Sequence, residues 1–315
     1  MSVKLKSLSV LALALAGGLA STGAHAATAL PAGVAVGTVP GGEKSISSSV
    51  FDITINFVGG LTASQQSTFT AAEYFWETMI TGYQIAFTVG GSLYEGPTIN
   101  AQGTAIDGVG GTLGSAGPTT AYSVSDGTNS FAYVDTGIMN FDTADLANME
   151  ADGTFFDVIV HEMGHVLGFG TLWNTDSIGG IFTGTQNVYT AGSGEYTGAY
   201  GLTAYNAEFG LSETFIPVEL GGGPGTADGH WDEADFAGGP LDLMTGFIGA
   251  PTPAADAPFA AMTLSATTIA SFADIGYTTA VTHAIAPVPL PAGLGLGLLA
   301  LGTLAGVTRR RKAQV

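Results

Sequence analysis

Two histidines and one glutamate have the spacing of a metal site in the segment His161-Glu162-x-x-His165. On an α-helix, residues four positions apart lie on the same face, so these two imidazoles can bind one metal ion. Glu162, beside the first histidine, can hold a water molecule at that metal and take its proton. A chain with 5 His among 315 residues has roughly 0.003 expected chance occurrences of this pattern. The pattern therefore favours a metal site over a pair of ordinary surface histidines.

The neighbouring residues predict the helix that carries this motif. Thr154 and Asp157 have the spacing of a capping box, and Gly168 is a typical C-terminal cap. Apolar residues recur between them at the helical period: Phe156, Ile159, Val160, Met163 and Leu167. The histidines lie off this stripe, so we expect the helix to bury one side and present the histidines to a cleft. By analogy with metallopeptidases, we also expect the strand just before the helix to be the sheet edge that pairs with an extended substrate.

A catalytic zinc ion takes three protein ligands and leaves one position open for water, so a third ligand is needed. The remaining histidines are His25, His230 and His283. His25 lies in a segment expected to be removed, and His283 adjoins the C-terminal tail, which leaves His230. The carboxylates of Glu195 and Asp176 stay open as alternatives.

The order of these motifs resembles the leishmanolysin family of zinc peptidases. The segment HEMGHVLG at residues 161–168 is followed by a long insertion, then by His230-Trp231, then by Leu243-Met244-Thr245-Gly246. The chain is most similar to the bacterial secreted relatives that carry exosortase-type tails, and the resemblance covers residues 50–277. It implies an α+β, metzincin-like fold. The N-terminal lobe would hold a mixed sheet, helices and the active-site helix, and the loop-rich C-terminal lobe would hold a methionine turn and a final helix.

The resemblance also implies the roles of individual residues. His161, His165 and His230 would bind one Zn²⁺ per chain, Glu162 would be the general base, and Met244 would be the methionine of the turn. The expected activity is that of a zinc endopeptidase hydrolysing extracellular or surface proteins. The chain departs from the family in having no cysteine, which excludes disulfides and a cysteine-based inhibitory pro-segment.

Two other functions remain open at this point. The chain could be a metal-binding surface or matrix protein that keeps the zinc site without turnover. It could also be an acidic adhesive module stabilised by calcium; the sequence allows Ca²⁺ but assigns no residue to it.

Both ends of the chain have the composition of export signals. Residues 1–26 combine Lys4 and Lys6 with an apolar run and an A-x-A site at residues 24–26, which predicts a signal peptide. Residues 290–315 contain an apolar stretch that ends in a basic cluster at residues 309–312. Preceded by proline-rich residues, this tail is similar to VPLPA-type sorting signals, which implies an exosortase-type processing enzyme as a partner. We expect an exported protein at the bacterial cell surface, in the periplasm or secreted, with only the tail in the membrane.

The charge of the exported part excludes other partners. Between residues 27 and 308 a single lysine, Lys44, faces 26 carboxylates, a formal charge of −25. Such a charge argues against nucleic acid and anionic membrane surfaces as partners. The partner that the resemblance implies is a protein or peptide substrate. The expected layout is a linker at 27–49, a catalytic domain at 50–281 with lobes at about 50–168 and 169–281, and a linker at 282–289.

Periodicity predicts the remaining elements. We expect a strand at 51–57, a helix from the capping box of Thr62 and Gln65 to Gly82, and strands at 83–89, 131–134 and 137–141. Residues 96–127 favour loops with short strands, and residues 171–225 favour a lobe built of loops rather than a sheet. A short helix capped by Asp142 or Thr143 should end at Met149, and a final helix should run from Ser265 to Gly276.

Overall fold

A computed structural model describes residues 37–40, 51–174, 186–239, 242–247 and 262–280 of this chain. The chain divides into two compact units, Met1–Ala284 and Ile285–Val315, and all described residues belong to the first. The predicted signal peptide, the 282–289 linker, the tail, His25, Asp176 and His283 lie outside the described residues.

The fold is α+β, as predicted. Five helices lie in the described ranges: α1 Ala63–Met79, α2 Leu146–Asp152, α3 Phe155–Val166, α4 Ala199–Phe209 and α5 Ala266–Asp274. The longer strands are β2 Thr54–Gly59, β6 Thr98–Thr104, β7 Gly114–Ser125 and β8 Ser130–Asp142. The short strands are β1 Gly37–Pro40, β3 Ile80–Tyr83, β4 Thr88–Val89, β5 Ser92–Leu93, β9 Glu195–Tyr196, β10 Ile216–Pro217 and β11 Tyr277–Thr279.

The main sheet has five strands in the order β1-β7-β8-β6-β2. Strands β2, β6 and β8 are parallel, and β7 runs antiparallel to β8. Strand β8, which precedes the helices, is therefore interior, so the prediction that it forms the sheet edge is wrong. Strand β7 lies between β8 and the short β1, and β1 pairs only with the β7 residues Tyr122 to Ser125. Strand β1 also falls inside the segment predicted to be a linker.

Helix α1 forms where the local sequence predicts it. The Thr62 hydroxyl accepts the Gln65 N–H, and the Gln65 side chain accepts the Thr62 N–H, which is the predicted capping box. The helix ends at Met79 rather than near Gly82, because Ile80 is buried and pairs with the last described strand, β11. The predicted strand at 83–89 is accordingly replaced by β3 and the short β4.

The capping box predicted for helix α3 is absent. Thr154 has helical backbone angles and makes no cap to the helix; its hydroxyl and N–H both donate to Asp152 Oδ1, at 2.7 and 3.0 Å. Helix α2 ends only two residues earlier, at Asp152, and its C-cap Gly153 has φ of +85°. The sharp turn between the helices leaves the Thr154 side chain bound to the end of α2. The C-terminal glycine is as predicted, since Gly168 has φ of +117°.

Helix α3 is held against the sheet by aromatic side chains. The Phe69 ring of α1 contacts the rings of Phe141 on β8 and Phe155 on α3, both edge to face. The buried Trp76 indole donates to the Val160 carbonyl at 2.9 Å. These contacts fix α3 from the α1 side and bury the aromatic face of α1 in the core.

Two elements that periodicity missed also position the site. Strand β7, in a region predicted as loops, is rich in Gly, Ser and Thr, and its pairing with β8 is not encoded locally. Helix α4, in the region predicted as loops, packs against α5 through two carboxylates. Asp274 accepts the Tyr200 and Gly201 N–H groups at the start of α4, and Glu208 accepts the Ala266 and Thr267 N–H groups at the start of α5. Each helix thus caps the N-terminus of the other.

The final helix agrees with the sequence. Ser265 accepts the Thr268 N–H as the N-cap of α5, and Gly276 follows the helix with φ of +100°. No helix in the described part of the chain has the length and apolar character needed to cross a membrane.

Candidate metal centre

The three predicted histidines meet in the interior of the molecule. His165 Nε2 lies 2.9 Å from His161 Nε2 and 2.9 Å from His230 Nε2, and the third separation is 3.2 Å. The side chains are at most 1% exposed. Helix α3 supplies two of the rings, and a segment 65 residues later supplies the third. Among the described residues, this is the one group of three or more His, Cys, Asp or Glu side chains whose ligand atoms all lie within 4.8 Å of one another.

Backbone carbonyls determine which nitrogen of each ring carries the proton. His161 Nδ1 lies 2.6 Å from the Leu243 oxygen, His165 Nδ1 lies 3.0 Å from the Phe169 oxygen, and His230 Nδ1 lies 2.8 Å from the Thr226 oxygen. A carbonyl oxygen can only accept, so each Nδ1–H donates. In the neutral ring the Nε2 atom then carries a lone pair, and three such lone pairs face one another.

The three Nε2 atoms could hold a metal ion. Two lone pairs cannot form a hydrogen bond, and burial together with the neighbouring histidine lowers the pKa of His161 and His165 well below the usual value. Burial lowers the pKa of His230 to about 4. A proton on one ring could form a hydrogen bond between two Nε2 atoms, but these lowered pKa values disfavour it. Tetrahedral zinc, with bonds of about 2.0–2.1 Å, would place its nitrogen ligands about 3.3 Å apart, close to the separations found.

A turn at residues 242–245 orients His161 and connects it with His230. The Leu243 carbonyl accepts from His161, and the Met244 carbonyl accepts the N–H of Trp231, the residue after His230, at 3.0 Å. Asp242, which is 1% exposed, accepts the Met244 N–H at 2.9 Å and holds the turn closed. Burial raises the pKa of Asp242 to about 6.

The same carboxylate ties the turn to helix α5. Asp242 Oδ2 accepts the Ser265 N–H at 3.1 Å, and the Thr268 hydroxyl donates to the carboxylate at 3.2 Å. The Trp231 indole donates to that hydroxyl at 2.7 Å. Two of the three histidines are thus positioned by one hydrogen-bonded network.

Met244 packs under helix α3 between the two histidines of the motif. A Cβ atom at Gly164 would lie 3.1 Å from both Sδ and Cε of Met244. Met244 is fully buried, so its visible contribution is packing that supports the helix where it carries His165. A glycine at position 164 is what permits this close approach.

Glu162 is buried without a partner. It is 0% exposed, and neither carboxylate oxygen has a hydrogen-bond partner. Burial raises its pKa well above the usual value. The start of β7 lies against it, since a Cβ atom at Gly114 would be 3.0 Å from Glu162 Oε1. The prediction that the histidines face an open cleft is therefore wrong, because the histidine and glutamate side chains are buried like the apolar side of the helix.

Glu195, the alternative third ligand among the described residues, lies away from the histidine group. Glu195 is exposed on β9 and does not belong to the histidine group. Thr171, three residues after Gly168, donates its hydroxyl to the His165 carbonyl at 2.8 Å. Sequence analysis missed Thr171, Asp242 and the three carbonyl acceptors, because no residue type marks a carbonyl acceptor and the partners lie far apart in the chain.

Comparison with protein-family models finds no match, and comparison with curated proteins finds none either.

Proposed function

We propose that this protein is a zinc-dependent endopeptidase of the leishmanolysin-like, metzincin type that hydrolyses peptide bonds in extracellular or surface proteins. One observation carries the proposal. Three histidine Nε2 atoms converge with their Nδ1 atoms bound to carbonyls, and a buried carboxylate without a partner follows the first histidine.

Zinc is the metal that this donor set supports best for such a function. Three imidazoles leave a fourth tetrahedral position open, which is the arrangement of catalytic zinc sites. When bound there, zinc would lower the pKa of a water ligand towards ~7 and polarise a substrate carbonyl. One ion per chain fits the single histidine group in the described residues.

Glu162 is the residue we assign to proton transfer. Its carboxylate accepts a proton from the attacking water and passes it to the leaving amine nitrogen. A purely structural metal site would gain nothing from a buried, unpartnered carboxylate. This residue therefore favours an enzyme over the alternative, a metal-binding surface protein without turnover.

The sheet edge beside Glu162 supports an extended peptide as substrate. Strand β7 begins at Gly114 against Glu162, and β1 pairs only with residues 122–125 of β7. An extended peptide could pair with the remaining edge of β7 through main-chain hydrogen bonds. The described residues contain no Lys or Arg to bind a terminal carboxylate, which favours endopeptidase action over carboxypeptidase action.

The chelator experiment tests the function directly. Purified protein should cleave casein, lose that activity in 1,10-phenanthroline, and regain it when zinc is added back after the chelator is removed. Activity that persists after zinc has been removed would contradict the proposal. Zinc binding without cleavage of any unfolded protein would favour the non-catalytic alternative.

A further inference from the structure

A group of acidic side chains lies near the N-terminal end of β7, on segments that carry none of the three histidines. The loop at 105–113 joins β6 to β7, and the segment at 142–145 joins β8 to α2. Hydrogen bonds tie the two segments together, from Asp142 N to the Leu113 oxygen at 2.9 Å and from Thr143 N to the Thr104 oxygen at 3.0 Å. Asp107, Asp142 and Asp145 lie on these segments.

Asp145 has a carboxylate oxygen that is satisfied by neither protein nor solvent. The residue is 3% exposed, and its Oδ1 accepts the Gly110 N–H at 2.9 Å. Its Oδ2 is inaccessible to solvent and has no hydrogen-bond partner. Although Asp145 precedes α2, its side chain makes no cap to that helix. A buried carboxylate oxygen left without a partner is costly.

The neighbouring side chains add negative charge around this oxygen and offer no positive charge to balance it. Burial and the charges of Asp142 and Asp107 raise the pKa of Asp145. Asp142 is 1% exposed and already accepts the N–H groups of Asp107, Gly108 and Ala144. The described residues contain no Lys or Arg, and their histidines are those of the metal centre, so no cationic side chain in them can pair with the group.

Protonation does not resolve the conflict. A proton on Asp145 Oδ2 would remove the charge of that carboxylate, but the oxygen has no hydrogen-bond partner in the structure. A hard cation from solution satisfies the oxygen and offsets the charge of the neighbouring carboxylates together.

We infer that Asp145, with Asp107 and Asp142, forms a binding site for a divalent oxygen-seeking cation of the calcium class, separate from the histidine centre. Calcium accepts six to eight oxygen ligands, including water, in irregular geometry at about 2.3–2.6 Å. Oxygens on opposite sides of such an ion lie about 5 Å apart, so the carboxylates need not converge as closely as the three histidines do.

The position gives this cation a structural consequence. The loop that it would hold leads directly into Gly114, the residue that packs against Glu162. A bound cation would therefore fix the start of β7. The inference does not depend on the histidines binding zinc or on peptidase activity.

Calcium titration of the zinc-loaded full chain in calcium-free buffer tests the site. Calorimetry should detect calcium binding, and up to ~10 mM calcium should raise Tm by ~3–10 °C if the affinity is that of extracellular modules. Asp145→Asn should abolish that shift, and without calcium it should be no less stable than the wild type, because a buried charge is removed. Glu213→Gln, at an exposed carboxylate remote in sequence, is the charge control and should keep the full shift.

Three outcomes would overturn the site. These are no calcium binding in the wild type, an unchanged calcium shift in Asp145→Asn, and an equal shift with magnesium in the wild type and the variant. If Asp145→Asn does not fold, the exposed Asp107→Asn serves instead, with a predicted loss of calcium affinity of at least ~10-fold. Full calcium affinity in that variant would likewise contradict the inference.

Discussion

At the scale of single residues, backbone carbonyls define what the histidines can do. Each Nδ1 atom donates to a carbonyl, so each Nε2 atom is left as a ligand. The motif predicts His161 and His165, and elimination among five histidines predicts His230. The carbonyls could not be predicted, because Leu243 lies 82 residues from His161 and any residue type can supply a carbonyl. Local spacing therefore predicts two of the three ligands, whereas the fold brings in His230 and determines the tautomers of all three.

Asp157, in the first turn of α3, gives a residue-scale prediction for pH dependence. Burial raises its pKa to about 6, above an unfolded value of about 3.9. Because the folded pKa is the higher one, its contribution to stability is complete below about pH 4 and is lost as pH rises through about 6. The free energy of unfolding of Asp157→Asn, relative to that of the wild type, should therefore rise by about 1–3 kcal/mol as the pH increases from about 4 to about 8. The helix dipole offsets part of this effect.

Urea denaturation of the wild type and Asp157→Asn at both pH values measures this difference. Asp235→Asn, which removes an exposed carboxylate elsewhere in the chain, is the matched charge control. A stability difference between Asp157→Asn and the wild type that is the same at both pH values would refute the assigned cause.

At the scale of elements, the contact between β7 and α3 shapes the site. Gly114 of β7 leaves room for the Glu162 carboxylate, and Gly117 of the same strand has nothing within 4 Å of its Cβ position. Gly114→Ala should displace Glu162 and lower kcat by at least ~10-fold while zinc remains bound, because the histidines are untouched. Gly117→Ala is the matched control.

Casein hydrolysis and bound zinc, measured on both glycine variants, decide this prediction. Equal activity in Gly114→Ala and Gly117→Ala would show that the start of β7 does not position Glu162. Loss of zinc in Gly114→Ala would place the defect at the histidines instead.

Elements were predictable where their determinants are local. Helix α1 has its capping box in four consecutive residues, and both halves of it form. The similar pattern at Thr154 forms no cap, because the Thr154 hydroxyl donates to Asp152 at the end of α2 instead. Strand β7 was missed because its small polar residues carry no apolar alternation, and its partner strand supplies the stabilisation.

At the scale of the whole molecule, the charge distribution separates the ends from the rest. Six of the seven basic residues lie in the predicted signal peptide and tail, and all 26 carboxylates lie between them. We propose that the protein acts outside the cytoplasm after both ends have been processed, with an exosortase-type enzyme acting on the tail. Intact-mass analysis of protein from its native location should then show a chain beginning near Ala27 and ending before Leu294. Recovery of the chain through Val315 would instead indicate a permanent anchor.

Turnover by Glu162→Gln, with bound zinc quantified in the same sample, tests the central claim most directly. Glutamine keeps the size of the side chain but cannot accept the proton, and the three histidines remain in place. We predict zinc bound at the wild-type ratio of one per chain and casein hydrolysis lowered by at least ~10²-fold. Wild-type turnover by this zinc-loaded variant would contradict the account.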